Sequence, residues 1–249
     1  MKKFQVDQLI VEVYETRRQM GEAAAQAGIR LLQDVLKQKD EANVVFAAAP
    51  SQSEMLETLL ATAEVDWSRV NAFHMDNYVG LDDSAPQQFS RFLRDRLFGK
   101  LPFKAVHYMG NQVGQEKEYA ALLEQYPTDI CFMGIGENAH IAFNDPGNAQ
   151  FDDPDTVKLV ELDHACRMQQ VNEGNFSSLD DVPTHALTLT IPALMASSHV
   201  ICTVPGINKA PATKCMLEGP IDEDCPASIL RQHQAATLYL DQAAASQLK

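Results

Sequence analysis

The first strong pattern in the chain is helical and covers residues 15–38. Apolar side chains between residues 20 and 32 recur there at three- and four-residue spacing, which places them on one face of a helix. A short apolar run follows at residues 44–49, between a charged loop and Pro50. A run of this length with such boundaries is typical of a strand buried on both faces.

The alternation of strands and helices continues to the end of the chain. The pattern predicts further strands at residues 70–79, 130–136, 187–191, 199–204 and 235–240, and helices after residue 53 and at residues 86–98 and 208–217. Strands that alternate with helices of this length predict a mostly parallel sheet with helices on both faces. We therefore expect an α/β fold, a Rossmann-like three-layer sandwich, formed by one domain over residues 1–249. Residues 147–183 are the least regular, and a lid or an insertion is expected there.

Composition and charge narrow the class of protein. The formal net charge of −14 argues against a nucleic-acid partner, because nucleic-acid-binding surfaces are normally basic. The five cysteines have no CxxC spacing, so neither a metal site nor a disulfide framework is expected. The sequence shows no secretory signal and no apolar stretch long enough to span a membrane. We expect a cytoplasmic protein without a membrane partner, and the sequence leaves a homo-oligomer open.

Candidate chemistry lies where the predicted strands end. Ligands of open parallel sheets bind beyond the carboxyl ends of the strands. Polar side chains at those ends are Ser51, Gln52, Ser53, Asp76, residues 137–145, Asn208 and Lys209. They come from four distant segments, and the predicted fold brings them to one rim.

Two of these segments carry groups that can move protons. Asp76 suits a general base held beside a substrate, although a strand-end aspartate also serves as an ordinary turn residue. His140 titrates near neutral pH, and Asn138 and Asp145 are placed to orient it. The alternative is a loop histidine that is satisfied by backbone carbonyls.

A third segment has the features of an anion site. Ser51, Gln52 and Ser53 begin a predicted helix, where free N–H groups and the helix dipole favour an anion. Lys209 adds a positive charge from another strand end. The alternative is a serine N-cap with a solvated lysine.

Together these segments resemble the glucosamine-6-phosphate deaminase family. Residues 75–81 read MDNYVGL, where the family has MDEYVGL, and residues 136–147 read GENAHIAFNDPG, where the family has GNDGHIAFNEPG. Residues 206–210 read GINKA, where the family has G-x-x-K-A. The likeness covers most of the chain.

The resemblance implies an enzyme that opens the ring of a 2-amino-2-deoxyhexose 6-phosphate, moves a proton from C2 to C1 and releases ammonia. Asp76 would be the enolisation base, and His140 would carry the ring-opening proton with Asp145 orienting it. Lys209 and the helix start near Ser51 would hold the phosphate. The resemblance implies no metal and no organic cofactor. Glucosamine and galactosamine 6-phosphate both remain open as substrates.

The chain departs from the family in the loops that contact substrate. Asn138 stands where the family has a ring-opening aspartate, and Asp145 stands where it has a glutamate. Ala48–Ser51 replace the Gly-Gly-Thr-Pro phosphate turn. A family arginine has no clear match, and Arg167, the nearest, is taken with Gly136 among the substrate-binding positions.

Two other functions stay open at this point. A 6-phosphogluconolactonase shares a G-x-x-D-G-H loop on a related fold, but it typically has Glu-Arg after the strand-end aspartate, whereas Asn77 and Tyr78 follow Asp76 here. A non-catalytic sugar-phosphate-binding protein is the third reading, since Asn138 removes one carboxylate.

Overall fold

The centre of the molecule is an eight-stranded sheet. The computed structural model describes residues 1–172 and 174–249. The strands in chain order are β1 (Lys2–Val6), β2 (Leu9–Tyr14), β3 (Ala42–Phe46), β4 (Val70–His74), β5 (Asp76–Tyr78), β6 (Ala105–His107), β7 (Ile130–Met133), β8 (Val157–Glu161), β9 (His185–Leu189), β10 (His199–Val204) and β11 (Ala236–Asp241). The large sheet has the order β1-β2-β11-β10-β7-β3-β4-β6, in which β1 pairs antiparallel with β2 and the other neighbours pair parallel.

Helices cover both faces of this sheet. The α-helices are α1 (Arg17–Gln38), α2 (Ser53–Ala61), α3 (Phe89–Leu93), α4 (Glu116–Gln125), α5 (His164–Asn172), α6 (Ile191–Met195) and α7 (Ala210–Glu218). Successive residues of the central strands point to opposite faces. Phe46 and Phe132 pack with α1, α2 and α3, whereas Val45 and Cys131 pack with α4, α6 and α7. This arrangement confirms the predicted α/β class and the three-layer sandwich.

Helix α1 forms as its sequence pattern predicts. The Thr16 side chain caps its start by accepting a hydrogen bond from the Gln19 N–H at 3.2 Å, a common way to satisfy a free N–H of the first turn. Its buried face runs from Met20 to Leu36. Gly28 lies on this face so close to the sheet that an added Cβ would be 2.6 Å from Phe132 Cε1. The missing side chain lets the helix approach the middle of the sheet.

The strand predicted at residues 70–79 is two strands. β4 ends at His74, the chain turns at Met75, and Asp76 begins β5, which pairs antiparallel with β9 in a separate sheet of order β5-β9-β8. Met75 does not continue the β4 ladder, because its carbonyl accepts the Leu189 N–H at 2.8 Å. Asp76 is therefore the first residue of a new strand, and the prediction that it ends the old one is wrong.

Other boundaries also differ from the predictions. The helix expected from Pro86 begins at Phe89 and continues as a π-helix at Arg94–Phe98. The irregular stretch at residues 147–183 contains β8 and α5. The β1–β2 hairpin and α4 were not predicted. None of the helices in the two described ranges has both the length and the apolar composition needed to cross a membrane.

The order of the strands fixes where a ligand site can form. From β3 the chain moves to β4 on one side, and from β7 it moves to β10 and β11 on the other. The connections therefore diverge between β3 and β7, which lie side by side. A crevice forms beyond the carboxyl ends of strands at such a switch point.

We expect Gly28→Ala to destabilise the fold by about 1–3 kcal/mol, because the added methyl group must displace Phe132 or α1. A glycine-to-alanine change inside an unobstructed helix stabilises by up to about 1 kcal/mol, so the sign is diagnostic. Urea unfolding measures the effect. Gln26→Ala, at an exposed position of the same helix, is the control and should change stability by less than about 0.5 kcal/mol. A Gly28→Ala protein as stable as the parent would contradict the packing described.

Candidate active site

A cavity of about 480 Å³ lies beyond the carboxyl ends of β3, β4, β7 and β10. Its charged and polar lining includes Arg17, Ser51, Asp76, Glu137, His140, Gln169, Gln170, Asn175, Asn208 and Lys209. The four segments predicted to meet at one rim all reach it. The lining contains two sets of residues, the cation end (Arg17, Ser51 and Lys209) and the groups that can move protons (Asp76 and His140).

The cation end is formed where β3, β7 and β10 finish. Ser51 lies in the short helical turn Pro50–Gln52 that follows β3. A Cβ added to Gly134, after β7, would lie 3.3 Å from Ser51 Oγ and 3.2 Å from the Thr203 carbonyl oxygen. Gly206 follows β10 with φ of +95°, a conformation that favours glycine. That turn leads into the short helix that carries Lys209 at the cavity wall.

Arg17 lies at the same end and was missed from the sequence. It is the first residue of α1 and belongs to the cavity lining. Its Nε donates to Glu54 Oε1 at 2.7 Å, and its Nη2 donates to the Pro50 carbonyl. These contacts hold the guanidinium against the turn that carries Ser51. The sequence marks position 17 only as the first turn of a helix, so no local signal identifies it.

Asp76, the first residue of β5, lies in the cavity wall. The residue is 7% exposed, and its Oδ1 has no hydrogen-bond partner among the groups that the structure describes. Burial raises the pKa of Asp76 to about 8, because a carboxylate loses its hydration when it leaves water. A carboxyl group that titrates near neutral pH can both take up and return a proton.

The backbone of Asp76 is fixed by His74. The Nε2 atom of the buried His74 ring accepts the Met109 N–H at 2.9 Å, so Nδ1 carries the proton and donates to the Asp76 carbonyl at 2.8 Å. Burial lowers the pKa of His74 to about 4, which keeps this ring neutral. His74 thus holds the turn between the two sheets and presents the Asp76 carboxyl to the cavity.

His140 lies in the loop that follows β7. Its Nδ1 is 2.9 Å from Asp145 Oδ1, and its side chain is 14% exposed. A Cβ at Gly136 would overlap the His140 ring, so only glycine fits beneath it. The loop also places Ala139 and Ala142 at φ of +67° and +51°, conformations that cost roughly 1–2 kcal/mol in a residue with a side chain. The turn that carries His140 is therefore tightly constrained.

Asn138 connects the members of this loop. Its Nδ2 donates to Asp145 Oδ1 at 2.9 Å, and its Oδ1 accepts the His140 N–H at 3.1 Å. Neither Asn138 nor Asp145 is among the described residues that line the cavity. The hydrogen bonds of Asn138 therefore lie within the loop, and the orienting role expected from the sequence stays a prediction.

Asp145 is buried among donors. Burial by itself would raise the pKa of Asp145, but His140, Asn138 and the Cys166 thiol stabilise the carboxylate and together lower the pKa below its usual value. This residue stays ionised beside His140. The ligating atoms of His140, Asp145 and Cys166 all lie within 4.8 Å of one another, and no other group of this kind occurs in the described ranges.

Three predicted phosphate ligands lie elsewhere. Gln52 is buried, with its amide Nε2 donating to Ser51 Oγ at 3.1 Å, and Ser53 accepts a hydrogen bond from Arg96 at 3.2 Å. Arg167 donates to the carbonyls of Leu179 and Val182 at 2.6 and 3.0 Å. None of the three is among the described lining residues. Arg167 is thus corrected to a group that holds the chain after α5, since its Nη2 donates to two carbonyls of that segment.

The irregular stretch at residues 147–183 does reach the cavity. It contributes Gln169 and Gln170 from α5, together with Asn175. The Gln169 Oε1 atom accepts the Glu137 N–H at 3.3 Å, which connects α5 to the His140 loop. Sequence reasoning placed this segment near the site but did not identify its amide side chains as part of the wall.

Comparisons with known proteins agree with this geometry. Residues 15–239 match the family described as glucosamine-6-phosphate isomerases/6-phosphogluconolactonase. A glucosamine-6-phosphate deaminase of Bacillus cereus is 35% identical over 229 residues, which cover 90% of this chain and 85% of that protein. A glucosamine-6-phosphate deaminase of Bacillus anthracis is 34% identical over the same shares.

Solved structures give the same fold. A monomeric glucosamine-6-phosphate deaminase superposes with a TM-score of 0.86 at 28% identity and covers 95% of this chain and 98% of that one. A 6-phosphogluconolactonase of Thermotoga maritima, with 19% identity, has a TM-score of 0.75 over 94% of this chain and 99% of its own. The second likeness shows the fold alone. On the matched residues, the identities and the shared architecture, this chain belongs to the family of glucosamine-6-phosphate isomerases and 6-phosphogluconolactonases.

Proposed function

We propose that this protein converts glucosamine 6-phosphate into a ketose 6-phosphate and ammonia. The observation that carries the proposal is Asp76, a buried carboxyl with a raised pKa whose Oδ1 has no hydrogen-bond partner among the described groups. It lies in the wall of a cavity that two cations, Arg17 and Lys209, also line. The names of the Bacillus relatives and of the monomeric deaminase support the choice of substrate.

The reaction needs one group that removes a carbon-bound proton and returns it nearby. In the proposed mechanism Asp76 takes the proton from C2 of the open-chain sugar and delivers it to C1. The C2 carbon then carries an imine, which takes up water and releases ammonia. A buried carboxyl suits both steps, because its pKa lies near the working pH.

Ring opening requires a second acid–base group. His140 is proposed to carry the proton between the anomeric hydroxyl and the ring oxygen, with the Asp145 carboxylate 2.9 Å from its Nδ1 atom. An ionised carboxylate at this nitrogen fixes the tautomer and supports the charged ring. Asn138 holds both partners without exchanging a proton itself, because an amide has no titratable proton at these pH values.

The phosphate is proposed to lie at the cation end. Arg17, Lys209 and Ser51 line this end. Arg17 and Lys209 place two positive charges at this end, so the local charge there favours a phosphate although the net charge of the chain is −14. Pro50 has no backbone N–H to donate in this turn. In the proposed site, side chains therefore provide the hydrogen-bond donors that the backbone of a glycine-rich turn would provide. The cytoplasmic location, the homo-oligomer and the absence of a cofactor stay predictions.

The deciding experiment is an ammonia-release assay. We expect the parent protein to release ammonia from glucosamine 6-phosphate, and Asp76→Asn to lower kcat by roughly 10²- to 10⁴-fold, because an amide cannot accept the C2 proton. Asp34→Asn, an exposed carboxylate on α1, is the matched control and should keep full activity. Galactosamine 6-phosphate is assayed in parallel to test the epimer.

Two results would contradict the proposal. If neither the parent nor the Asp76→Asn protein releases ammonia from either epimer, the proposal that this protein is a deaminase is wrong. Hydrolysis of 6-phosphogluconolactone without ammonia release would move the function to the lactonase side of the family.

The raised pKa of Asp76 also predicts how stability depends on pH. The carboxyl titrates near 3.8 when unfolded and near 8 when folded. Between these values the folded state binds more protons, so stability falls as pH rises. Asp76→Asn removes this cost. We expect its melting temperature at pH 8 to exceed that of the parent by at least about 2 °C, with the difference shrinking toward pH 4. An equal difference at both pH values would show that Asp76 is not strained by burial.

Arg17→Ala should weaken substrate binding. Loss of a charge-assisted hydrogen bond to a phosphate, reduced by the partial exposure of Arg17, is expected to raise KM roughly tenfold with kcat changed little. Arg18→Ala is the control, because Arg18 is the next residue of α1, is 66% exposed in its side chain and pairs with Glu22 and Glu57. Equal KM values for the two variants would remove Arg17 from the phosphate site.

A further inference from the structure

Cys166 has a thiol next to the proton-moving groups and no part in the proposed mechanism. It lies in the first turn of α5 and is 1% exposed. The ligating atoms of Cys166, Asp145 and His140 come within 4.8 Å of one another, although they belong to two segments separated by a strand.

One potential ligating atom of this cluster, Asp145 Oδ2, makes no hydrogen bond to any described group. Asp145 is 1% exposed. A buried carboxylate oxygen without a donor is costly. It is also the kind of atom that coordinates a cation when one enters. The side of the cluster toward the cavity is His140, which is partly exposed there.

The three donors match one class of metal. A thiolate, an imidazole and a carboxylate are the ligands of Zn²⁺, whereas Mg²⁺ and Ca²⁺ prefer oxygen ligands alone. Bond lengths of about 2.0–2.3 Å in a tetrahedral zinc site place the ligating atoms roughly 3.3–3.8 Å apart. The ligating atoms of the present cluster lie within 4.8 Å of one another, so the widest pair needs to contract by no more than about 1–1.5 Å. The thiolate and the carboxylate each carry one negative charge, so together they neutralise the divalent ion.

We propose that His140, Asp145 and Cys166 form an inhibitory site for Zn²⁺ or a similar thiophilic divalent cation. Binding releases the thiol proton to solvent and forms bonds from the metal to Sγ, a carboxylate oxygen and a nitrogen of the neutral imidazole. Three protein ligands leave a fourth position for water. The metal and the ring-opening proton then compete for the same histidine, so the loaded protein is inactive.

The metal site itself is tested by cobalt spectroscopy. Co²⁺ bound by a thiolate gives a charge-transfer band in the near ultraviolet. We expect one equivalent of Co²⁺ to produce this band in the parent protein and in Cys215→Ser, which removes the half-exposed thiol of α7. Cys166→Ser and Cys166→Ala should lack it. Thermal unfolding confirms that each variant is folded. A band that persists without Cys166, or that is absent from the parent, overturns the proposal.

The inhibition rests on the proposed function and is measured separately. In the ammonia-release assay, Zn²⁺ should inhibit the parent and Cys215→Ser at equal concentrations. Cys166→Ala, compared with its own metal-free rate, should need about tenfold more Zn²⁺ or above, since losing a ligand costs at least as much as losing a group that supports one. Equal inhibition of the parent and Cys166→Ala would overturn the inhibitory role. If no protein releases ammonia, the proposed function fails, while the cobalt band still decides whether the metal site exists.

Discussion

The parallel pairing of β3 with both β4 and β7 is the contact on which the whole site depends. It aligns the carboxyl ends of three strands at one edge of the sheet, and β10 extends the same edge beside β7. Residues as distant as Ser51 and Lys209 can then line one cavity without any direct connection between their segments. The pairing is held by side chains that alternate between two apolar layers, so a one-residue slip would reverse every buried position. The positions of the site residues at this edge therefore depend on the packing of these apolar layers.

Much of this arrangement is predictable from local pattern. Buried parallel strands are nearly continuous apolar runs, and those at residues 130–133 and 199–204 stand out clearly. The strand from Val70 was overextended because apolar residues resume at Tyr78 and Val79 after the turn at Met75. The turn is held by contacts of His74 with Met109 and of Met75 with Leu189, and both of these partners are remote in sequence. In the N-terminal hairpin β1 is mostly exposed, whereas β2 is an apolar run that was not predicted as a strand. The hydrophobic pattern of the sequence does not reveal tertiary contacts between residues that have no local sequence signal.

The same distinction separates the site residues. Asp76 begins β5 and His140 stands in a loop, both in segments that resemble the family's sequence, and both reach the cavity. Arg167 was taken as a substrate-binding residue because it lies near the position of a family arginine, but its Nη2 donates to the carbonyls of Leu179 and Val182. Arg17 is the opposite case. Nothing in the sequence at position 17 indicates a ligand-binding residue, but contacts with Glu54 and Pro50 hold its guanidinium at the cavity. The role of an arginine depends on the acceptors that its guanidinium contacts, and the sequence alone does not show these contacts.

The glycine under the His140 ring has a consequence for how such sites are recognised. The ring lies where a side chain of residue 136 would otherwise be, so its direction is set by an atom that is missing. A side chain at residue 136 would leave the reactive groups of the site chemically unchanged but would displace the His140 ring from its present direction. A list of reactive groups would not reveal this change. A comparison of relatives therefore has to consider the backbone around the site as closely as its reactive side chains.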